Sequence, residues 1–393
     1  MPDPTAKRRG RPSISAGPFV FRKHPAPMTH RHTLRSPLGP LTLTAADRAL
    51  VRLDFGGTPD TDAPPTPLLR EAARQIDEYF AGLRRQFSLP LAPDGTPFRQ
   101  EVWRALEAIP HGATRSYAQI AAQVGRPRAC RAVGAANHRN PLPILIPCHR
   151  VVGSDGTLTG YAGGVDTKRR LLALEGAVAA IPAELADYLA GEILPRYASF
   201  DRGHGTDHAL AVAARSLDLA IGLGADPATA LAVALYHDTG LAYGRERHHL
   251  DSGRILAADA TLRRWFTPER IDTMREAAED HRASSERAPR SLYGRIVAEA
   301  DRQIDPATIL RRTIQYGLAH TPGLDREGHY ARTLDHLERK YAEGGYLRLW
   351  IAGSENARRL DALRRLIADR ERLRALFDAL YEQETACGAA MNK

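Results

Sequence analysis

The chain changes character at residues 177–182, a run of mostly small residues between a first half of mixed patterns and a second half written almost wholly in helices. With 393 residues it is long for one compact core, so a change of pattern there predicts two folding units. Charge changes at the same place. Residues 1–180 carry 25 Lys and Arg against 14 Asp and Glu, whereas residues 181–393 carry 30 against 32. The positive first half suits a polyanion such as DNA, whose counterions a basic surface displaces. No stretch approaches the roughly 18 unbroken apolar residues of a membrane span. The N-terminus is basic and Pro-rich, with no apolar signal core, so a cytoplasmic protein without a membrane partner is predicted, nucleoid-associated if bacterial. Three cysteines, Cys130, Cys148 and Cys387, form too odd and sparse a set for a disulfide framework and fit a reducing compartment.

Residues 1–28 offer little to bury and are predicted to form a disordered basic tail. Within them Arg9-Gly10-Arg11-Pro12 matches the core of the AT-hook, a minor-groove element, although composition favours a tail with no specific role. From Thr33 the text turns β-like. Two strands, around Leu38–Leu43 and Ala49–Phe55, flank a turn centred on Asp47, and a helix follows over Leu68–Phe80. Thr96-Pro97 opens a second helix with Val102, Trp103, Leu106 and Ile109 as its apolar stripe. A short capped helix from Ser116 to Gly125 and another over Ala129–Asn137 make a helix-turn-helix candidate. The predicted layout is a tail (1–28), an α/β unit (29–96), a helix-turn-helix, winged-helix-like unit (97–178) and an all-α domain (182–393).

The first half has one conspicuous nucleophile. In Asn140-Pro141-Leu142-Pro143-Ile144-Leu145-Ile146-Pro147-Cys148-His149-Arg150-Val151, an apolar run delivers Cys148 next to a histidine. A thiol with a pKa of about 8.5 is mostly protonated at neutral pH, and the thiolate is what reacts, so Cys148 needs a proton acceptor. His149 is adjacent in sequence, and Glu175 lies further on as a carboxylate that would orient the imidazole.

Pro147-Cys148-His149-Arg150-Val151, with Asn140 upstream, resembles the active-site signature of the O6-alkylguanine-DNA alkyltransferases. Arg115-Ser116-Tyr117, Cys130-Arg131-Ala132-Val133-Gly134 and Gly160-Tyr161-Ala162-Gly163-Gly164 accompany it in order, and the likeness covers residues 33–178. It implies stoichiometric, cofactor-free repair of double-stranded DNA carrying alkylated guanine, with Cys148 as alkyl acceptor. It further implies that His149 draws off the thiol proton through a water, that Glu175 orients His149, and that Asn140 holds the loop. Tyr117 would rotate the phosphate and donate to the leaving purine, Arg131 would fill the stack vacated by the flipped base, and Tyr161 with Gly163 would border the pocket. A base whose edge lies inside a duplex must be extruded, at about a few kcal/mol, before sulfur reaches it. Ala162 departs from the family, where Ser is frequent, and the first part has no Cys/His cluster for a structural zinc. The competing reading is a lesion sensor without chemistry; such proteins typically lack the acceptor cysteine that this chain keeps.

The second half scatters imidazoles and carboxylates at helix ends: His204, His208, His237-Asp238, His248-His249, His281 and Asp301. Mixed nitrogen and oxygen donors suit Mn, Fe or Zn better than calcium, and the divalent ion expected is Mn, Fe, Mg or Zn. Their order resembles the HD-domain phosphohydrolases. The resemblance implies a divalent metal held by His208, His237, Asp238 and Asp301, with His249 and His281 completing a second position and His204 and His248 less directly involved. Arg245, Arg282 and Arg302 are candidates for substrate phosphate, and the substrate class would be nucleotides or other phosphate esters. A third reading makes the hydrolase the main activity and the first half its DNA tether.

Overall fold

The computed structural model describes residues 29–57, 64–158, 160–201, 203–282, 287–302 and 304–391, with side chains through 385. The basic tail with its Arg9-Gly10-Arg11-Pro12 run, and residues 58–63 of the Pro/Asp loop, lie outside the described residues.

Three antiparallel strands, β1 (Thr29–Ser36), β2 (Gly39–Ala46) and β3 (Ala49–Phe55), form a sheet in sequential order. Asp47 occupies the two-residue β2–β3 turn at φ 53°, a left-handed conformation that Asp tolerates better than most residues. Leu41, Leu43, Leu50 and Leu53 are buried against α1 (Pro67–Phe80), which Thr66 caps by accepting from Leu69 N. Each such leucine contributes about 1.5–3 kcal/mol of burial. Only Thr33 and Leu34 of β1 are buried, so its outer end has no alternation to read, and the sequence expectation of two strands misses this third one.

Next come α2 (Pro97–Glu107), β4 (Arg115–Ser116), α3 (Tyr117–Gln123), α4 (Cys130–His138), β5 (Val151–Val152) and α5 (Val165–Ala179). A reciprocal Ser116–Gln119 capping box starts α3, and Gly125 at φ 70° turns the chain toward α4. Trp103 Nε1 donates to Ala136 O at 2.9 Å and locks α2 onto α4. Two-residue β4 pairs parallel with β5, which follows the Pro-Cys-His-Arg segment directly.

The rest is helical: α6 (Ala183–Tyr188), α7 (Thr206–Leu223), α8 (Pro227–Tyr236), α9 (His248–Ala258), α10 (Pro268–Glu279), α11 (Leu292–Asp301), α12 (Pro306–His320), α13 (Arg326–Tyr341), α14 (Glu355–Ala368) and α15 (Arg370–Met391). Among the described residues no helix is long and apolar enough to cross a membrane. The architecture is thus a small sheet with a helix, a helix-turn-helix unit, and a helical domain behind them.

The junction at 177–182 is a change of pattern but not a solvated linker. Val178 and Ile181 are buried, and α5 runs through to Ala179. One continuous apolar cluster extends from Leu34 to Ala300, because α1 and α5 both pack on α7. Arg170 pairs with Asp218 at 2.9 Å, and Arg35 Nη2 donates to Thr308 Oγ1 at 2.8 Å, so polar contacts also tie the halves. A separate core under α12–α15 gathers Ile314, Leu337, Leu363 and Phe377.

Candidate functional site

Cys148 opens a one-turn 3-10 helix, Cys148–Arg150, wedged between α2 and α5. The loop before it is pinned from within. Asn140 Nδ2 donates to Ile146 O at 2.8 Å, and Leu142 N donates back to Asn140 Oδ1 at 3.0 Å. Ile144 is held at φ 72°, a strained conformation for a β-branched residue that its buried neighbours impose. Burial pushes the Cys148 thiol up to about 11, opposed by a hydrogen bond with the Asn140 side chain and by the charge of Lys168.

His149 is fully buried, and its Nε2 lies 2.9 Å from Glu175 Oε1. Burial would raise the Glu175 pKa, but the bonds from His149 and Arg150 hold it well below the usual carboxylate range. An ionised carboxylate only accepts, so the proton sits on Nε2 and Nδ1 carries the lone pair. Burial lowers the His149 pKa against the pull of Glu175, which favours the neutral imidazole. Nδ1 has no hydrogen-bond partner in the protein. Glu175 also accepts a bidentate pair from Arg150 (Nη2 to Oε1 2.8 Å, Nε to Oε2 2.9 Å), the Tyr79 hydroxyl at 2.9 Å and Gly112 N at 3.1 Å.

Around this core, Tyr161 is buried with its hydroxyl unpartnered, and its ring meets Phe55 edge-on at 5.8 Å and His149 at 6.4 Å. Gly163 lets the loop approach Phe55: a Cβ there would stand 2.9 Å from the ring. Tyr117, at the start of α3, is half-buried beneath the Lys168 ammonium, 6.0 Å from the ring centroid. Arg131 on α4 is exposed, with Arg126 and Arg128 exposed in the turn before it. Cys148, His149, Glu175 and Asn140 therefore converge, while Arg131 and Tyr117 lie on the helix-turn-helix. Sequence reasoning missed three participants. Arg150 stood inside the quoted motif without a role; Lys168 and Tyr79 had no local signal, since only the fold brings α1 and α5 to the loop.

The helical half builds a second cluster from the ends of five elements. His208 Nε2 lies 3.2 Å from both His237 Nε2 and Asp301 Oδ1. Asp238 stands in the middle: Oδ2 is 3.2 Å from His237 Nε2, while Oδ1 is 3.4 Å from His281 Nε2 and 3.6 Å from His248 Nε2. His208, His237 and Asp301 form one three-donor group, and Asp238, His248 and His281 another. His237, His248 and His281 each place Nδ1 against a backbone carbonyl, of Ala234 (2.7 Å), Arg245 (2.8 Å) and Ala278 (2.6 Å). Donation from Nδ1 leaves each Nε2 as a lone pair facing inward, the tautomer a metal ligand requires. Three such lone pairs and two carboxylates converging at burial call for cations between them, so the donor set fits a divalent metal. In the protein alone a proton does part of this work: burial opposes charge on His208, yet Asp238 and Asp301 lift its pKa to about 9.

Of the residues expected as ligands, His208, His237, Asp238, His281 and Asp301 meet here. His249 does not; His248 stands in its place. Successive helical residues point about 100° apart, so only one of the pair at the start of α9 can face Asp238. Gly240 lets α9 come this close, since a Cβ there would collide with His248 O. Arg245 is bound to Asp201 (2.8 Å), with His204 beside it, and Arg282 Nη1 donates to Glu246 O (3.0 Å). Arg302 alone of the three arginines faces the cavity next to the cluster.

A buried cysteine–histidine–carboxylate set beside a helix-turn-helix, followed by a helical domain with a His/Asp cluster, defines a two-part protein. Comparison with known families gives both parts: 6-O-methylguanine DNA methyltransferase, ribonuclease-like domain, at residues 29–93, its DNA binding domain at 97–177, and an HD domain at 205–303. Methylated-DNA–protein-cysteine methyltransferases are similar to the first half. That of Methanosarcina barkeri is 51% identical over 148 residues, 36% of this chain and 94% of its own length. The constitutive enzyme of Bacillus subtilis is 50% identical over 158 residues, 38% of this chain and 96% of its own. Among solved structures, the Mycobacterium tuberculosis O6-methylguanine methyltransferase is 45% identical and covers 40% of this chain and 99% of its own, with a TM-score of 0.37. The chain belongs to the methylated-DNA–protein-cysteine methyltransferase family and carries an HD domain behind the alkyltransferase part.

Proposed function

We propose that this chain repairs DNA by moving an alkyl group from the O6 position of guanine to Cys148, and that its HD domain is a metal-dependent phosphohydrolase. The observation that carries the first part is the His149–Glu175 pair beside a buried thiol, with the imidazole lone pair on Nδ1. In this reading Nδ1 takes the Cys148 proton through a water, and Sγ attacks the alkyl carbon. The carbon–O6 bond breaks with its electrons going to the purine, which Tyr117 protonates as it leaves. Glu175 stabilises the imidazolium, and Asn140 holds the loop that presents the thiol. Tyr161, with an unpartnered hydroxyl, and Gly163 would border the purine. The thioether product has no route back, so each molecule acts once.

The partner in this reading is double-stranded DNA carrying alkylated guanine. Support comes from the exposed Arg126, Arg128 and Arg131 and from family membership. Arg131 on α4 would enter the stack in place of the extruded base. The test is the intact mass of the protein after mixing with a methylguanine oligonucleotide. One added methyl, confined to the Cys148 peptide, is expected; an unchanged mass would leave lesion binding without chemistry.

In the HD domain, His208, His237 and Asp301 would hold one divalent cation and His248 and His281 a second, with Asp238 between them. Such ions supply Lewis acidity toward a phosphate ester and lower the pKa of water. The protein's own part is to keep each Nε2 unprotonated, through the backbone bonds at Nδ1, and to present Arg302 to the ester. Phosphate release from nucleotides with added Mn is expected; none from any nucleotide or bis-p-nitrophenyl phosphate would end this part of the reading.

A further inference from the structure

A cavity of about 800 Å³ opens beside the His/Asp cluster, with His208 and Asp301 in its lining. Another of its walls is supplied by α12 and α13, beyond the residues 205–303 that match the HD domain. Its charge is one-sided. Arg302, Arg312, Arg332 and Lys340 all line it, and its carboxylates are Asp207 and the cluster's own Asp301.

Carboxylates act on these cations without contact, Glu299 and Asp301 on Arg302 and Asp301 on Lys340. Among the described residues, none of the four forms a salt bridge. Arg302 is only 6% exposed, yet its Nε and Nη1 are buried without a hydrogen-bond partner. Arg332 donates through Nη2 to Thr313 O, while its Nε is likewise buried and unpartnered. Lys340 rests its ammonium 5.1 Å from the Tyr341 ring centroid, and Arg312 stands exposed at the rim. Buried donors without acceptors are unfavourable unless a ligand completes them, and converging cations in a concave site concentrate anions. Four cations exceed what one phosphate needs. Between them Ile309, Tyr316 and Leu347 offer apolar surface for the part of a ligand that joins two charged ends.

We infer that the substrate of the HD domain is a phosphate ester carrying a second anionic group, which Arg312, Arg332 and Lys340 of α12 and α13 bind while Arg302 faces the scissile phosphate. The inference rests on the phosphohydrolase reading for the fate of the first phosphate, but the anion site is testable without catalysis.

The full chain, stripped of metal on a chelating resin, is titrated calorimetrically with inorganic tripolyphosphate, with fructose 1,6-bisphosphate and with orthophosphate. At least one of the two multivalent probes should bind tenfold or more tightly than orthophosphate. Arg312→Ala combined with Lys340→Ala should cut that preference at least fivefold. Arg312→Glu alone, at an exposed position whose replacement leaves the core intact, should do the same. Equal affinity for all three probes overturns the inference, as does a preference untouched in both variants. Failure of the underlying reading shows elsewhere: the unmodified chain with Mn would release no phosphate or nitrophenol from any ester, whatever the titrations give.

Discussion

His149 donates from Nε2 to Glu175 Oε1 across 2.9 Å while both residues are sealed from solvent, and Arg150 grips the same carboxylate from the other side. One carboxylate thus balances a buried guanidinium and fixes the tautomer of the imidazole. Replacing Glu175 with Gln would leave Arg150 charged and uncompensated, a loss of about 3–5 kcal/mol when a buried pair is broken. It would also allow the ring to flip. Methyl transfer from a methylguanine duplex is expected to slow at least 100-fold, and urea unfolding should shift by that energy. A variant with full transfer rate would remove Glu175 from the mechanism.

The Cys148 thiol, pushed up to about 11 by burial, should be sluggish toward reagents that do not use the site. In a Cys130→Ala, Cys387→Ala background, carbamidomethylation by iodoacetamide should be slow at pH 7 and climb toward a midpoint near pH 11. The sign follows from the raised pKa: the reactive thiolate gains population only as pH approaches it. A midpoint at or below pH 8 would mean that the thiol is ionised by its neighbours in the resting protein.

Arg131 is exposed on α4, and in the proposed function it fills the stack left by the extruded base. Arg131→Ala should lower transfer from duplex DNA about tenfold or more, while transfer from free O6-benzylguanine, which needs no extrusion, stays within twofold. Equal losses on both substrates would assign Arg131 to the fold instead.

Much of this was legible in the sequence. The Pro-Cys-His-Arg motif, the capped helices at Ser116 and Thr96, and the Asp47 turn are all local signals, fixed by backbone preferences within a few residues. What stayed hidden depends on distance along the chain or on helical phase. Tyr79 reaches Glu175 across 96 positions, and nothing near Tyr79 announces it. The His248-His249 pair is ambiguous by nature, because its members differ by one helical step and only the packing of α9 on α10 and α8 sets its phase. At the boundary placed over 177–182, what no local signal announces is that α5 packs onto α7.

That helical phase yields a direct test. His248→Ala should lose about one of two bound Mn or Fe equivalents measured by elemental analysis, and Asp238→Asn should lose both, since Asp238 serves both donor groups. His249→Ala should retain the full complement. Reversed results for the two histidines would place α9 a step out of phase with this structure.

The interface between the halves carries its own titration. Asp77 on α1 is mostly buried and faces Asp207 in the first turn of α7; burial and then that charge raise its pKa from 3.8 to about 7. Below pH 3.8 the carboxyl is protonated in both folded and unfolded chains and costs nothing. Between pH 4 and 7 the unfolded chain ionises first, so stability is lost progressively as pH rises, and above pH 7 the full cost stands. Asp77→Asn removes the ionisation. It should leave the melting temperature nearly unchanged at pH 4 and raise stability by about 1–3 kcal/mol at pH 8, discounted from the full shift for residual solvent access. Because α1 belongs to one half and α7 to the other, the gain should appear in a single cooperative transition of the whole chain. A gain confined to acid pH, or one that splits the melt in two, would mean that α1 and α7 do not meet as the shared core requires.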